Sequence, residues 1–518
     1  MHMLKTAARR VAAPPTAGRG SRPNQGGPTL GLIAALLDAL HHKGAPYCYW
    51  RSGARLRAVL AGEADLDLIA ERTSKHLVLG VLAESGFKLF PSVASRGHPA
   101  VMSFLGHDAS AGCIVHVHLH LAVVTGERLL RNYVLPWAPA FIARAVPVPA
   151  MHEVRVLDSA DEAVVLAVRS CVELRVSDPI ALRGWRKAND RFMRDQQALS
   201  AAVDQVRFHG HAVELVGKDA ADLLAADVYA PQWRGLGGHT RRRVRQSLKE
   251  YRTYNGPEAR VRAAWRGLTW LAGGLNKRHL HWPRPWSRLA PGSGLVVALM
   301  GVDGSGKSTV VAALRAWLGA EVDVMPIYFG TGDGRPSLLL LPLKAMVPLF
   351  TRVLRRKPRG SSHGTVSDRP PGLLFSVLLA GWATVLAVEK RSKLRAAHRG
   401  ARRGLVVIAD RYPQDEIVAY NDGPLLPRLA RVPAWLRQFE ARSYALAQRL
   451  PPDLVIKLEA PPETLAMREP SMDRGVIQER VDALQRLRFP GVQVVRVDAA
   501  QPLDNVLRAV KAAVWSLL

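Results

Sequence analysis

Gly301-Val302-Asp303-Gly304-Ser305-Gly306-Lys307-Ser308 sets two glycines, a lysine and a hydroxyl at the spacing G-x-x-x-x-G-K-[ST]. That spacing makes a cradle for nucleotide phosphates. Gly304 and Gly306 let the backbone take conformations closed to other residues, so that successive amides can face one phosphate. Lys307 would reach the β- and γ-phosphates, Ser308 would help hold Mg²⁺, and Thr309 continues the loop into a helix whose N-terminal dipole favours anions. Asp65 and Asp67, in Ala64-Asp65-Leu66-Asp67-Leu68-Ile69, are two apart in a strand-like run, so both carboxylates leave from one face. Paired carboxylates of this kind can hold Mg²⁺ for nucleotidyl transfer. His116, His118 and His120 alternate in Ile114-Val-His-Val-His-Leu-His-Leu121 and share one face as well. Imidazole is a poor Mg²⁺ ligand, so these residues suit Zn²⁺ or Mn²⁺, or else form a metal-free, hydrogen-bonded strand face.

Elements must hold these residues in place. The apolar run Leu295–Met300 predicts a buried strand entering the loop. Val310, Val311, Leu314 and Leu318 give the following helix its apolar stripe. From there to the end, short β-rich runs near 295–300, 323–329, 404–410, 453–459 and 492–498 alternate with helical patterns. That alternation implies an α/β domain with a parallel sheet and flanking helices over 294–518. The Trp-, Pro- and Arg-rich stretch 281–293 reads as a linker, and 151–280 as mostly helical with no motif assignable to chemistry. Residues 28–150 read as an α+β domain. Residues 1–27, rich in Ala, Pro, Gly and Arg without a long apolar core, read as a disordered basic tail and not a secretory signal. No internal repeat is present.

The loop Met300-Gly-Val-Asp-Gly-Ser-Gly-Lys-Ser-Thr309 closely resembles that of thymidylate kinases, which carry an Asp before the central glycine. Four further segments follow in the family's order. They are Leu405–Tyr412, ending Asp-Arg-Tyr; Pro452–Glu459 with Pro461-Pro462-Glu463; the arginines Arg468 and Arg474 where the family has its lid; and Val497–Pro502. The resemblance spans about 293–518. It implies transfer of the γ-phosphoryl of ATP, with Mg²⁺, to a nucleoside monophosphate such as dTMP or to a related phosphorylated acceptor. It also implies roles: Asp410 holds Mg²⁺ through water, Arg411 clamps the acceptor phosphate, and Asp303 faces the acceptor. With Ser305 where an arginine can stand, Arg468 or Arg474 would neutralise transition-state charge. The family's Arg-Glu-Pro-Gly after the second strand is replaced by Gly330-Thr-Gly-Asp-Gly-Arg335. More weakly, Ser52-Gly53 followed by Asp65-x-Asp67 resembles the nucleotidyltransferase fold, with the turn order reversed and no third acid on the later strand.

Composition bounds the rest. A net charge of +29 favours polyanionic partners: nucleotides, nucleic acid or anionic lipid. The densest basic cluster, His239–Arg245, reads as a solvated helix face, and no nucleic-acid-binding module accompanies it. Three cysteines without metal or disulfide spacing suit a reducing compartment, and a cytoplasmic protein is expected. The apolar segments 337–353 and 372–388 read as buried helix or homodimer face in preference to peripheral membrane contact. Two rivals to the kinase remain: an ATP-binding switch or scaffold, and an active N-terminal nucleotidyltransferase that the kinase-like part regulates. Pairing the two domain types suggests, by analogy, surface-carbohydrate metabolism.

Overall fold

The computed structural model describes residues 28–51, 53–127, 129–152, 154–173, 182–231, 235–280, 282–330, 373–417, 423–428 and 432–518. Among the described residues, nine strands form in the first part of the chain: β1 (Tyr47–Tyr49), β2 (Leu66–Ala70), β3 (Lys88–Leu89), β4 (Val101–Asp108), β5 (Cys113–His120), β6 (Val123–Thr125), β7 (Tyr133–Leu135), β8 (Val146–Val148) and β9 (Val154–Val156). Seven of them make a mixed sheet in the order β3-β4-β5-β2-β1-β9-β8, while β6 and β7 pair separately. β8 and β9 carry the large sheet past residue 150. β2 runs parallel to β5 with Asp67 opposite His118, which brings the Asp-x-Asp run beside the histidine ladder.

The C-terminal sheet is wholly parallel. Its strands are β10 (Leu295–Gly301), β11 (Val324–Tyr328), β12 (Val406–Asp410), β13 (Leu454–Glu459) and β14 (Gln493–Asp498), in the order β11-β12-β10-β13-β14. β10 is buried at every residue, as an interior strand covered on both faces must be. The helix Lys307–Gly319 buries Val310, Leu314 and Leu318 against it, one residue per turn. This sheet is a mixed-sequence α/β architecture whose five strands fall where the apolar runs place them.

The segment 372–388 lies on the helix Leu373–Ala401. Its described residues Ala383, Leu386 and Ala387 are buried, and Leu394 and Ala397 of the same helix join the sheet's core. The segment 337–353 lies outside the described residues. Among the described residues, no helix is long and apolar enough to cross a membrane.

Two expectations change. The stretch 282–293 is clamped between the units and is no loose linker. Leu289 N–H donates to Pro91 O and Ala290 N–H to Gly404 O, both at 2.9 Å or less, and the Asp323 carboxylate accepts from the amides of Trp286 and Ser287. The basic cluster is not simply a solvated face. Arg241 and Arg245 turn inward and donate to Ser170 O and Cys171 O, each at 2.7 Å, satisfying carbonyls at the end of the helix Ser159–Glu173. The two units also share a core, in which Phe90 and Leu105 join the cluster that contains Trp515.

Candidate functional site

All five parallel strands point their carboxyl ends one way, and in open α/β sheets that rim is where ligands bind. β10 delivers the loop there. Gly304 (φ 84°) and Gly306 (φ 87°) both lie in the left-handed region that admits glycine without strain. Lys307 is buried, and its Nζ donates to Val302 O at 2.9 Å across the loop. Ser305 is buried too, facing back toward Gly301. A Cβ on Gly301 would come within 2.4 Å of the Ser305 Oγ. These two residues therefore shape the loop from beneath, and any contact of Ser305 with phosphate would come from its backbone.

A cavity of ≈ 480 Å³ opens above the loop. Asp303, Gly304, Gly306, Lys307, Ser308 and Thr309 line its floor. Asp410, Arg411 and Tyr328 close one side, and Arg468 with Glu469 the other. Asp410 ends β12 and is only 9% exposed. Ser308 and Asp410 offer a hydroxyl and a carboxylate, the hard oxygen donors that Mg²⁺ takes. Arg468 is anchored through Nη1 to Ala499 O at 2.9 Å, in the turn after β14. Arg474 opens the helix Arg474–Arg486, is exposed, and is not among the cavity's lining residues.

Sequence reasoning missed Arg480. Its Nη1 donates to Asp303 Oδ2 at 2.7 Å, while Arg411 Nη2 donates to Asp303 Oδ1 at 2.5 Å and Lys307 Nζ stands 3.7 Å from that same oxygen. Asp303 thus sits within a ring of three cations. Arg411 holds its position with φ 68°, a left-handed conformation uncommon for a side chain of this size. Lys457 on β13 ties the Arg480 helix to the sheet by donating to Leu484 O and Leu487 O, each at 2.7 Å. The signal for Arg480 was available: Ile477, Arg480, Ala483 and Leu484 share one buried face, and an arginine on an apolar stripe needs a partner.

The second constellation lies on β2 and β5. Asp67 Oδ1 is 3.2 Å from both His118 Nδ1 and His120 Nε2, and Arg51 Nε donates to Asp67 Oδ2 at 3.0 Å. Burial alone would raise the Asp67 carboxyl, but Arg51 and the two histidines outweigh it and hold it well below the usual range. Burial lowers His118 and takes His120, which is wholly buried, down to about 4. His116 Nδ1 is 3.6 Å from Asp65 Oδ1 and 3.2 Å from Glu321 Oε2, a residue contributed by the C-terminal unit. Burial opposes protonation of His116, but those two acids raise it.

Together, a glycine-rich loop at the rim of a parallel sheet and a helix starting at its lysine define a P-loop-type α/β protein. No protein-family profile matches the chain. Individual relatives do. The chain is 31% identical over 227 residues to the uncharacterized ATP-binding protein YghS of Escherichia coli K12, covering 93% of that protein and 43% of this one. It is 28% identical to YghR of the same organism over 86% of that protein, and 24% identical to the thymidylate kinase of Limosilactobacillus fermentum over 95% of it. The chain belongs to the family of YghS.

Proposed function

We propose that the chain binds ATP on the Gly301–Thr309 loop and, with Mg²⁺, transfers the γ-phosphoryl group to a phosphorylated acceptor, a nucleoside monophosphate such as dTMP being the first to test. The observation that carries this reading is the cation ring of Lys307, Arg411 and Arg480 around Asp303, which lines the cavity. Phosphoryl transfer asks for alignment and charge neutralisation, and little covalent chemistry. Lys307 would exchange Val302 O for phosphate oxygens. Arg411 is placed to take the acceptor's phosphate, its guanidinium leaving Asp303 as a stronger anion arrives. Asp303 would keep its bond to Arg480 and could accept from a polar group of the acceptor. Arg468, which lines the cavity, would neutralise transition-state charge. Ser308 and Asp410 would hold Mg²⁺, which would neutralise charge on the phosphates. The relatives' names support nucleotide binding, and the thymidylate kinase similarity supports the transfer.

A second reading is an ATP-dependent switch, favoured by one observation: Arg411 is already committed to Asp303, so no preformed acceptor clamp stands open. ADP formation from ATP and Mg²⁺ across a panel of monophosphates, with Lys307→Ala as control, separates the two. Lys307-dependent turnover stimulated by one monophosphate supports the kinase. ATP binding with no stimulation by any acceptor sinks it and favours the switch.

A further inference from the structure

We infer that Asp65, His116 and His118 form a binding site for a divalent transition metal of the Zn²⁺ type, with Glu321 set beside His116, at the seam where the N-terminal sheet meets the P-loop unit. His116 is 4% exposed, and its Nδ1 lies 3.2 Å from Glu321 Oε2 and 3.6 Å from Asp65 Oδ1. Yet neither ring nitrogen of His116 makes a hydrogen bond among the described residues. A buried imidazole beside acids, with no well-aligned bond at either nitrogen, is open to an ion. Around a tetrahedral ion with bonds of about 2.0–2.1 Å, neighbouring donor atoms stand roughly 3.3 Å apart, close to the His116–Asp65 separation. One donor atom each from Asp65, His116 and His118 lie within 4.8 Å of one another, so a third protein ligand is in reach of the same ion.

The surroundings suit an ion as well. His118 Nδ1 faces Asp67, which leaves Nε2 to bind metal in a carboxylate–histidine–metal arrangement. Arg288 Nη1 holds Glu321 Oε2 at 3.0 Å, and Arg51 holds Asp67, so each acid on the flank of the site is fixed in orientation. Imidazole nitrogens with carboxylates favour Zn²⁺ over Mg²⁺. Glu321 comes two residues after the helix that begins at Lys307, so its contact with His116 ties the far end of the phosphate-loop helix to the ion's site.

The test is calorimetric titration of the chelator-stripped full-length chain with Zn²⁺, and with Co²⁺ read by visible absorption. One ion per chain is expected, with a tetrahedral Co²⁺ spectrum. His116→Ala should weaken binding by more than about 100-fold, and Glu321→Gln by about 10- to 100-fold. Glu321→Gln keeps the side chain's shape and its bond to Arg288, so it guards against a simple folding defect. Absence of stoichiometric binding, or binding that both variants leave unchanged, would overturn the site.

A different observation carries a second inference. The helix Gly256–Leu275 turns its apolar stripe outward: Val261, Trp265, Leu268, Leu271 and Leu275, spaced i, i+4, i+7, i+10 and i+14, are each at least half exposed. Arg260, Arg262, Lys277 and Arg278 are exposed around it, and Glu258 is the sole acid from 256 to 284. We propose that this face rests on an anionic lipid surface. A basic amphipathic helix with tryptophan at its apolar edge sits in the headgroup layer without crossing it. The full chain should sediment with vesicles of phosphatidylcholine mixed with phosphatidylglycerol, lose that binding as salt rises, and lose about tenfold or more in affinity on Trp265→Glu with Leu268→Glu. Equal binding to phosphatidylcholine alone would overturn the proposal. So would failure to bind combined with a dimer, seen by light scattering, that the same double variant dissolves.

Discussion

Replacing Arg480 with methionine removes one cation from the ring around Asp303 while keeping most of the side chain's volume. Stranding a buried charge costs about 3–5 kcal/mol. Asp303 would not be stranded, because Arg411 stays at 2.5 Å and Lys307 at 3.7 Å. What disappears is one charge-assisted hydrogen bond at 2.7 Å from an arginine only 7% exposed, a loss of about 1.5–3 kcal/mol. Methionine fills the space left by the arginine stem, so a cavity penalty is small. Urea unfolding followed by tryptophan fluorescence should show a lower midpoint with an unchanged slope. Arg411→Met made alone and together with Arg480→Met should be non-additive by more than about 0.5 kcal/mol, since both arginines share one carboxylate. A midpoint within about 0.5 kcal/mol of the parent, or strict additivity, would refute the view that Asp303 is held by a coupled ring.

Lys307→Ala should abolish detectable ATP binding by calorimetry while the circular dichroism spectrum stays that of the parent, because the carbonyl that the lysine bonds, Val302 O, lies in the loop itself. Gly301→Ala should weaken ATP binding and cost about 1–3 kcal/mol in urea unfolding, since its Cβ would fall 2.4 Å from Ser305 Oγ and 3.1 Å from Leu458 O. His98 gives a pH prediction. Burial, then Arg131 and Arg266, push its folded value down to about 3, with His120 adding to the effect and a backbone bond opposing it. The neutral ring is favoured in the fold, so its stability contribution is intact above the unfolded value near 6.5 and is lost progressively as pH falls from there toward 3. Because other histidines are lowered too, the readout is a difference: between pH 7.5 and about 5, His98→Gln should lose less stability than the parent, by up to about 1 kcal/mol after allowing for the ring's partial exposure.

The parallel sheet was legible because its signals are local. An apolar run such as Leu295–Met300 ending in Gly-x-x-x-x-Gly-Lys-Ser states both a buried strand and the turn that follows. The cation ring was half legible: Asp303 and Arg411 stand in recognisable motifs, but Arg480 reaches Asp303 across 177 positions of sequence, and only its place on an apolar stripe betrays it. The acid and histidine runs each showed a shared face. That they are neighbours follows from strand pairing, which no local pattern encodes, and the arrival of Glu321 from the other unit depends on packing between them. The anchoring of residues 286–290 was hidden for the same reason. Tryptophans and prolines looked like punctuation, while their partners, Asp323 and Pro91, lie far off in sequence.

The seam between the units bears on how this chain could be taken apart. Lys88 donates to Trp515 O, Lys511 donates to Gly112 O, and Phe90 stacks on Trp515. Each half therefore supplies part of the wall that keeps the other dry. A fragment holding residues 294–518 alone would carry Trp317 and Trp515 without their cover of Phe90, Leu105 and His107. Heat should melt the two halves in one transition. Any history in which they were joined must then have reshaped both surfaces, making the boundary between them a place where the chain is hard to divide.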